Sequence, residues 1–189
     1  MVNFWRAFRF TIVFAILLGL IYPLFVTGVG NVLFPFQAKG SIVDAKGHAV
    51  GSLLIAQNVT SPGLFHPRPS AVNYNASGSG GSNLGPTNPA LVQEVKNNLQ
   101  VVEQQNPGTP VATIPPEMVE SSASGLDPDI SVQDAMIQVP RISKATGISE
   151  AVLTDLINRY KQGPVLGIWG THMVNVMQLN LAIEQRLGQ

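Results

Sequence analysis

From Phe10 to Val32 the chain carries no charged side chain, and Arg6 and Arg9 stand just before that run. The stretch FTIVFAILLGLIYPLFVTGVGNV is long enough to cross a hydrocarbon core of ~30 Å at ~1.5 Å rise per residue. In lipid only a helix satisfies its own backbone over such a length, which predicts a transmembrane helix over residues 10–32. Pro23 predicts a bend, because a mid-helix proline removes one donor and crowds the preceding turn. A cleaved signal sequence shares the basic start, but its apolar region is shorter, ~7–15 residues, and no compact small-x-small site follows here. The run is therefore expected to stay as an anchor. Two arginines and no acid in residues 1–9 place that segment in the cytoplasm by the positive-inside rule. Residues 36–189 are then an extracytoplasmic soluble domain.

All eleven acids and nine of the eleven basic residues lie beyond the anchor, so the soluble part is mildly acidic and no nucleic-acid partner is expected. The absence of cysteine excludes disulfides, thiolate catalysis and cysteine-ligated metals. About 150 residues suffice to bury a core without such staples.

Ser41 to Val59 reads as strand, turn, strand, with Ser41–Asp44 and Ser52–Gln57 as the strands and Lys46-Gly47 at the tip. Residues 61–89 differ in kind: 19 of the 29 are Gly, Ser, Pro or Asn, too many breakers for a regular element. Leu64, Phe65, His66, Arg68, Tyr74 and Leu84 are more than a spacer needs, which favours an ordered loop. Asn88-Pro89 opens a helix with Leu91, Val95, Leu99 and Val102 on one face, stopped at Asn106-Pro107-Gly108. Glu117 to Ser122 reads as a short strand. Ser131 with Asp134 resembles a capping box for a helix that Pro140 kinks or ends. Ser149-Glu150 caps another helix, closed at Gly163, and a last one runs from about Asn175 to Leu187. The fold class is mixed α/β (α+β): one transmembrane helix, then a single domain with several helices over a small sheet.

Few residues suggest chemistry. His48, His66 and His172 have no metal-ligand spacing and read as surface or loop residues. Asp127 and Asp129 flank Pro128 as a carboxylate pair would, yet Leu-Asp-Pro-Asp-Ile-Ser also reads as a turn that caps a helix. No G-x-S-x-G elbow is present. Ser77 to Asn83 could cradle an anion with backbone amides, but the Gly-Lys-Ser/Thr of a phosphate loop is missing.

Several long strings stand in a fixed order behind the anchor: Arg68-Pro69-Ser70-Ala71, Ser79 to Pro89 (SGGSNLGPTNP), Ser124 to Ser131 (SGLDPDIS), Gln138 to Ile142 (QVPRI) and Val174 to Asn180 (VNVMQLN). In these strings the chain resembles the C subunit of Kdp-type potassium-transporting ATPases over essentially its whole length. It departs from that pattern at Ala56 and Ala123, where glycine is usual, at Asp129, where histidine is usual, and at Thr171-His172-Met173, in place of Glu-Pro-Arg.

The resemblance implies an accessory, non-catalytic subunit of an inner-membrane potassium uptake pump, with no cofactor or metal of its own. Its partners would be a channel-like potassium-translocating subunit, a P-type ATPase subunit, a small single-span subunit and membrane lipid. ATP and potassium would be handled by the complex. The C subunit would stabilise the assembly and act as a catalytic chaperone that promotes ATP use. A conformational bias carried by linkage suits the predicted topology; direct nucleotide binding is the alternative. Candidate interface or loop-ordering residues are Arg68, Ser70, Gly80, Gly81, Ser82, Asn83 and Asn88. Arg68 is expected to hold the loop through backbone carbonyls or, failing that, to form a surface salt bridge. Gly19, Gly28 and Gly30 offer small-residue surface for helix packing.

Overall fold

A computed structural model describes residues 2–45 and 47–188. The chain divides into two compact units, Met1–Ile42 and Val43–Gln189. In the first, α1 (Val2–Ile16) and α2 (Tyr22–Leu33) are joined by a π-helical turn, Leu17–Ile21, into one apolar rod long enough to span a membrane. Phe10, Phe14, Leu18, Leu24 and Phe25 are exposed on all sides of it, as a helix meant for lipid requires. The π turn sits directly before Pro23, and the Tyr22 N–H reaches back five residues to Leu17 O. Proline crowds the carbonyl four residues earlier, here Gly19, and the wider turn makes room for the ring. The proline is thus met by a local π-helical widening of the helix. A short α3 (Pro35–Ala38) follows.

In the second unit, two strands pair antiparallel and each runs straight into a helix. β3 (Asp129–Ser131) pairs with β4 (Met173–Asn175), setting Asp129 opposite Asn175 and Ile130 opposite Val174. Ser131 then caps α5 (Val132–Thr146), its Oγ accepting from Asp134 N–H at 3.1 Å. Asn175 caps α7 (Val176–Leu187), its Oδ1 accepting from Gln178 N–H at 3.2 Å. α6 (Glu150–Tyr160) packs against both helices. Ile130, Ile142, Leu153, Ile157, Val174, Leu179 and Ile183 close the core between them, and Phe65 from the long loop is buried in it. Burying each such side chain is worth ~1.5–3 kcal/mol, so this cluster decides the fold. A second, smaller cluster forms where Val95, Leu99 and Val102 of α4 (Pro89–Gln105) meet Met118 and Val119.

Several expectations are corrected. The first hairpin pairs β1 (Ile42–Ala45) with β2 (His48–Ser52), and its second strand ends where it was expected to start. Ser52 Oγ accepts from Leu54 N–H at 3.0 Å, and this side-chain turn diverts the chain before Gln57. Of the expected Lys46-Gly47 tip, Lys46 lies outside the described residues. Glu117 to Ser122 is not a strand: Pro116 opens a 3-10 turn, and the N–H groups of Met118, Val119 and Glu120 bond back to Pro115 and Pro116. α5 runs through Pro140 to Thr146, because Val139 and Ile142 on either side are locked in the core. Gly147 then ends it in the left-handed conformation at φ 77°. α6 stops at Tyr160, three residues before Gly163, and the Ser149 side chain makes no cap bond. The Ser131–Asp134 box is half formed, since Ser131 N–H donates to Glu117 Oε1 and not to Asp134.

Candidate functional site

Between Ser52 and Pro89 the backbone forms neither helix nor strand, so side chains and turns must satisfy its polar groups. Two buried amides do this at the centre. Asn180 on α7 accepts from Phe65 N–H at 2.7 Å and donates to Phe65 C=O at 2.9 Å. Gln138 on α5 treats the next residue the same way, accepting from His66 N–H at 2.8 Å and donating to His66 C=O at 3.1 Å. Each amide replaces one rung of a β-ladder, in an orientation the packed helices fix.

Arg141 extends the clamp. Its Nη1 donates to Pro62 C=O at 2.6 Å and Leu64 C=O at 3.0 Å, and its Nη2 to Gln138 Oε1 at 2.6 Å. Burial brings the Arg141 pKa down to about 10, opposed by the nearby charge of Asp134. The mechanism expected of Arg68, a guanidinium holding loop carbonyls, therefore belongs to Arg141. Arg68 instead pairs with the carboxylate of Asp127 at 3.3 Å, and its buried Nε has no partner among the described residues. The two side chains are partly buried, at 23% and 31% exposure, and ion pairs near a surface add ~1 kcal/mol or less.

The other sequence-predicted residues fall into two places. Ser70 is a hub: its Oγ donates to Gly125 C=O at 2.6 Å and accepts from Tyr74 N–H at 2.9 Å. Tyr74 Oη in turn donates to Arg68 C=O at 2.8 Å. Gly80 N–H donates to Ser124 C=O at 2.8 Å, and a Cβ on Gly81 would stand 3.0 Å from Ala123 O. Arg68, Ser70, Gly80 and Gly81 are thus brought together along the Ser122–Asp127 segment. Gly125, at φ 68°, faces them with no room for a side chain. Ser82, Asn83 and Asn88 lie beyond. Ser82 Oγ accepts weakly from Leu84 N–H at 3.5 Å, and Asn83 adopts φ 55° with its amide donating to Gly81 C=O at 3.2 Å. Asn88 serves α4, its Oδ1 accepting from Ala90 N–H at 2.9 Å.

Sequence reasoning assigned no role to Asn180, Gln138 or Arg141. The available signal was a polar residue on the buried face of each helix: Asn180 follows Leu179, and Gln138 precedes Val139.

Asp134, His66, Tyr74, Asn98 and Gln105 line a cavity of about 310 Å³ beside the clamp. Asp134 is buried and accepts from Gln138 Nε2 at 2.7 Å. Burial pushes its carboxyl up to about 7, against that hydrogen bond. His66 is held below its ordinary value by burial and by the Arg141 charge, and its ring bonds Ser61 O and Gln105. The Asp127–Asp129 pair is a turn: Asp127 Oδ1 accepts from Asp129 N–H, while Asp129 takes the Asn175 amide at 3.1 Å. Burial, with Asp127 close by, raises the Asp129 carboxyl. Among the described residues no group of three or more His, Cys, Asp or Glu is placed to hold a metal.

The family model described as K+-transporting ATPase, c chain (KdpC), matches residues 4–185. A potassium-transporting ATPase KdpC subunit of Caldanaerobacter subterraneus subsp. tengcongensis is 45% identical over 182 residues, covering 96% of this chain and 94% of the relative. A KdpC subunit of Methylobacterium nodulans is 46% identical over 188 residues, with 92% of each chain covered. One from Bacillus cereus strain Q1 is 43% identical over 180 residues, covering 95% and 93%. With a family match over nearly its full length, and an apolar N-terminal helix suited to a single-pass membrane subunit, the chain belongs to the KdpC family of potassium-transporting ATPase subunits.

Proposed function

We propose that this chain is a non-catalytic subunit of a Kdp-type potassium pump, with residues 1–9 cytoplasmic, 10–32 spanning the membrane and 36–189 outside the cytoplasm. It docks on the channel-like translocating subunit beside the P-type ATPase subunit and the small single-span subunit. It binds neither nucleotide nor metal itself. By preferring one conformation of the translocator it biases the ATPase subunit through linkage, which is the physical content of a chaperone role. The Arg68–Asn88 loop is the docking face, and Gly19, Gly28 and Gly30 pack the anchor.

The observation that carries this reading is the fixed state of the loop in the lone chain. Asn180, Gln138 and Arg141 hold its base, and the Ser70, Gly80 and Gly125 contacts hold its middle. A face already ordered docks without a further ordering cost. A phosphate cradle fits poorly here, since the N–H groups of Ser77 and Gly78 already donate to Asn75 and that of Gly80 to Ser124.

The test exploits the lack of native cysteine. Ser149, exposed at the start of α6, is replaced by cysteine in the assembled complex and treated with an impermeant thiol reagent on intact cells. Labelling from outside supports an indirect role, because cytoplasmic ATP cannot reach the domain. Labelling only after permeabilisation overturns the topology and reinstates direct nucleotide binding.

A further inference from the structure

The segment between α6 and β4 is the most apolar exposed surface of the second unit. Gln162 and Met173 exchange backbone hydrogen bonds at its base, and Val165 and Trp169 bridge nearer the tip. Four large apolar residues crowd that tip: Val165 is 67% exposed, Leu166 81%, Ile168 73% and Trp169 63%. Scattered exposed apolar residues need no explanation, but four within five positions form a patch. The arch is also held in shape at a cost. Leu166 sits at φ 53°, where a residue with a Cβ is strained, and the Gly167, Ile168 and Trp169 N–H groups are all used inside the arch.

We propose that this arch is a second membrane contact, its tip entering the interfacial zone of the bilayer with Lys161 meeting anionic lipid headgroups. Three features favour lipid as the occupant. The tip from Pro164 to Gly170 carries no charge and contains a tryptophan, the residue type enriched at headgroup depth. No acid occurs from Leu156 to Ile183, although the whole chain has as many acids as basic residues, and Lys161 and His172 stand exposed at the base of the arch. Apolar tip and basic flank together are the pattern of interfacial anchoring. The chain also carries its own spanning helix, which holds the arch at high effective concentration near the bilayer, so a weak insertion suffices. The contact is independent of the side on which the domain lies, and so of the topology proposed above.

Trp5 and Trp169 are the only tryptophans, so Trp5→Phe leaves Trp169 as sole reporter in the full chain. The chain is reconstituted in vesicles of phosphatidylethanolamine and phosphatidylglycerol, with and without brominated acyl chains. The expected result is a blue-shifted Trp169 emission, quenched roughly twofold or more by the brominated lipid. Leu166→Asp, at an exposed position that folding does not need, is expected to abolish the quenching. Replacing phosphatidylglycerol by zwitterionic lipid is expected to weaken it. Emission at the fully hydrated wavelength with no quenching overturns the proposal. So does a blue shift without quenching that develops only when the other pump subunits are added, since the tip then docks on protein.

Discussion

The clamp on Phe65 makes a quantitative prediction. Asn180→Ala removes an acceptor and a donor at once, stranding the N–H and C=O of a residue with no solvent exposure. Each stranded buried group costs ~1–3 kcal/mol, and the vacated volume adds to that, for an expected loss of about 3–5 kcal/mol. At ~2–4 °C per kcal/mol for a chain of this size, the transition should fall by roughly 10 °C. A water molecule entering the space left by alanine would soften the loss, so Asn180→Leu is the stricter variant: it fills the volume and bonds nothing. The assay is thermal and denaturant unfolding of the full chain in detergent, followed by near-UV circular dichroism. Hydrogen exchange at the Phe65 and His66 amides reports the clamp directly. A leucine variant within ~1 kcal/mol of the parent, with both amides still protected, would refute the claim that these bonds hold the loop.

Asp134 should make stability fall as pH rises. Its folded carboxyl titrates near 7, above the ordinary 3.8, so between those values the folded state keeps a proton that the unfolded state has lost. Asp134→Asn should match the parent near pH 4 and exceed it by up to roughly 4 kcal/mol above pH 7, at ~1.36 kcal/mol per unit; an unchanged difference across that range contradicts the assignment. Arg141→Lys keeps the charge but not the fork that reaches Pro62, Leu64 and Gln138 together, and should cost ~1–3 kcal/mol. Limited proteolysis near Pro62 measures the loosening. Gly81→Val places its side chain on the Ala123 carbonyl and should cripple assembly, read as complex yield and potassium uptake; normal values for both would remove this loop from the docking face.

The helices were legible because their signals are local. Asn88-Pro89, Ser131 and Asn175 announce their own caps, and the spacing of Leu153, Leu156 and Ile157 announces a buried face. The long apolar N-terminal helix was legible from its length and its lack of charge. Two features escaped, one through turn chemistry and one through packing. Met118 and Val119 read as a strand, but the prolines before them consumed the local N–H groups in a turn. Pro140 read as a kink or an end, but the helix continues through it to Thr146, with buried residues on both sides. Of the seven candidate residues, four converge on the Ser122–Asp127 segment, while Asn88 proves to be a helix cap.

Arg68 and Arg141 show why the site was only half readable. Both precede or follow proline in recognisable strings, and both are arginines in an otherwise lightly charged chain. Only the fold separates them. Arg141 rides on a helix whose axis is pinned by Val139 and Ile142, so its guanidinium reaches fixed carbonyls 77 and 79 residues away. Arg68 lies within the loop itself and ties it to a carboxylate on a neighbouring turn, not to a helix. Loops without secondary structure are ordered by groups projected from rigid elements, and sequence proximity to the loop is a poor guide to them. Here the ordering groups Gln138, Arg141 and Asn180 all stand on helices packed into the core. The base of the loop, from Pro62 to His66, is therefore tied directly to the helices that build the core.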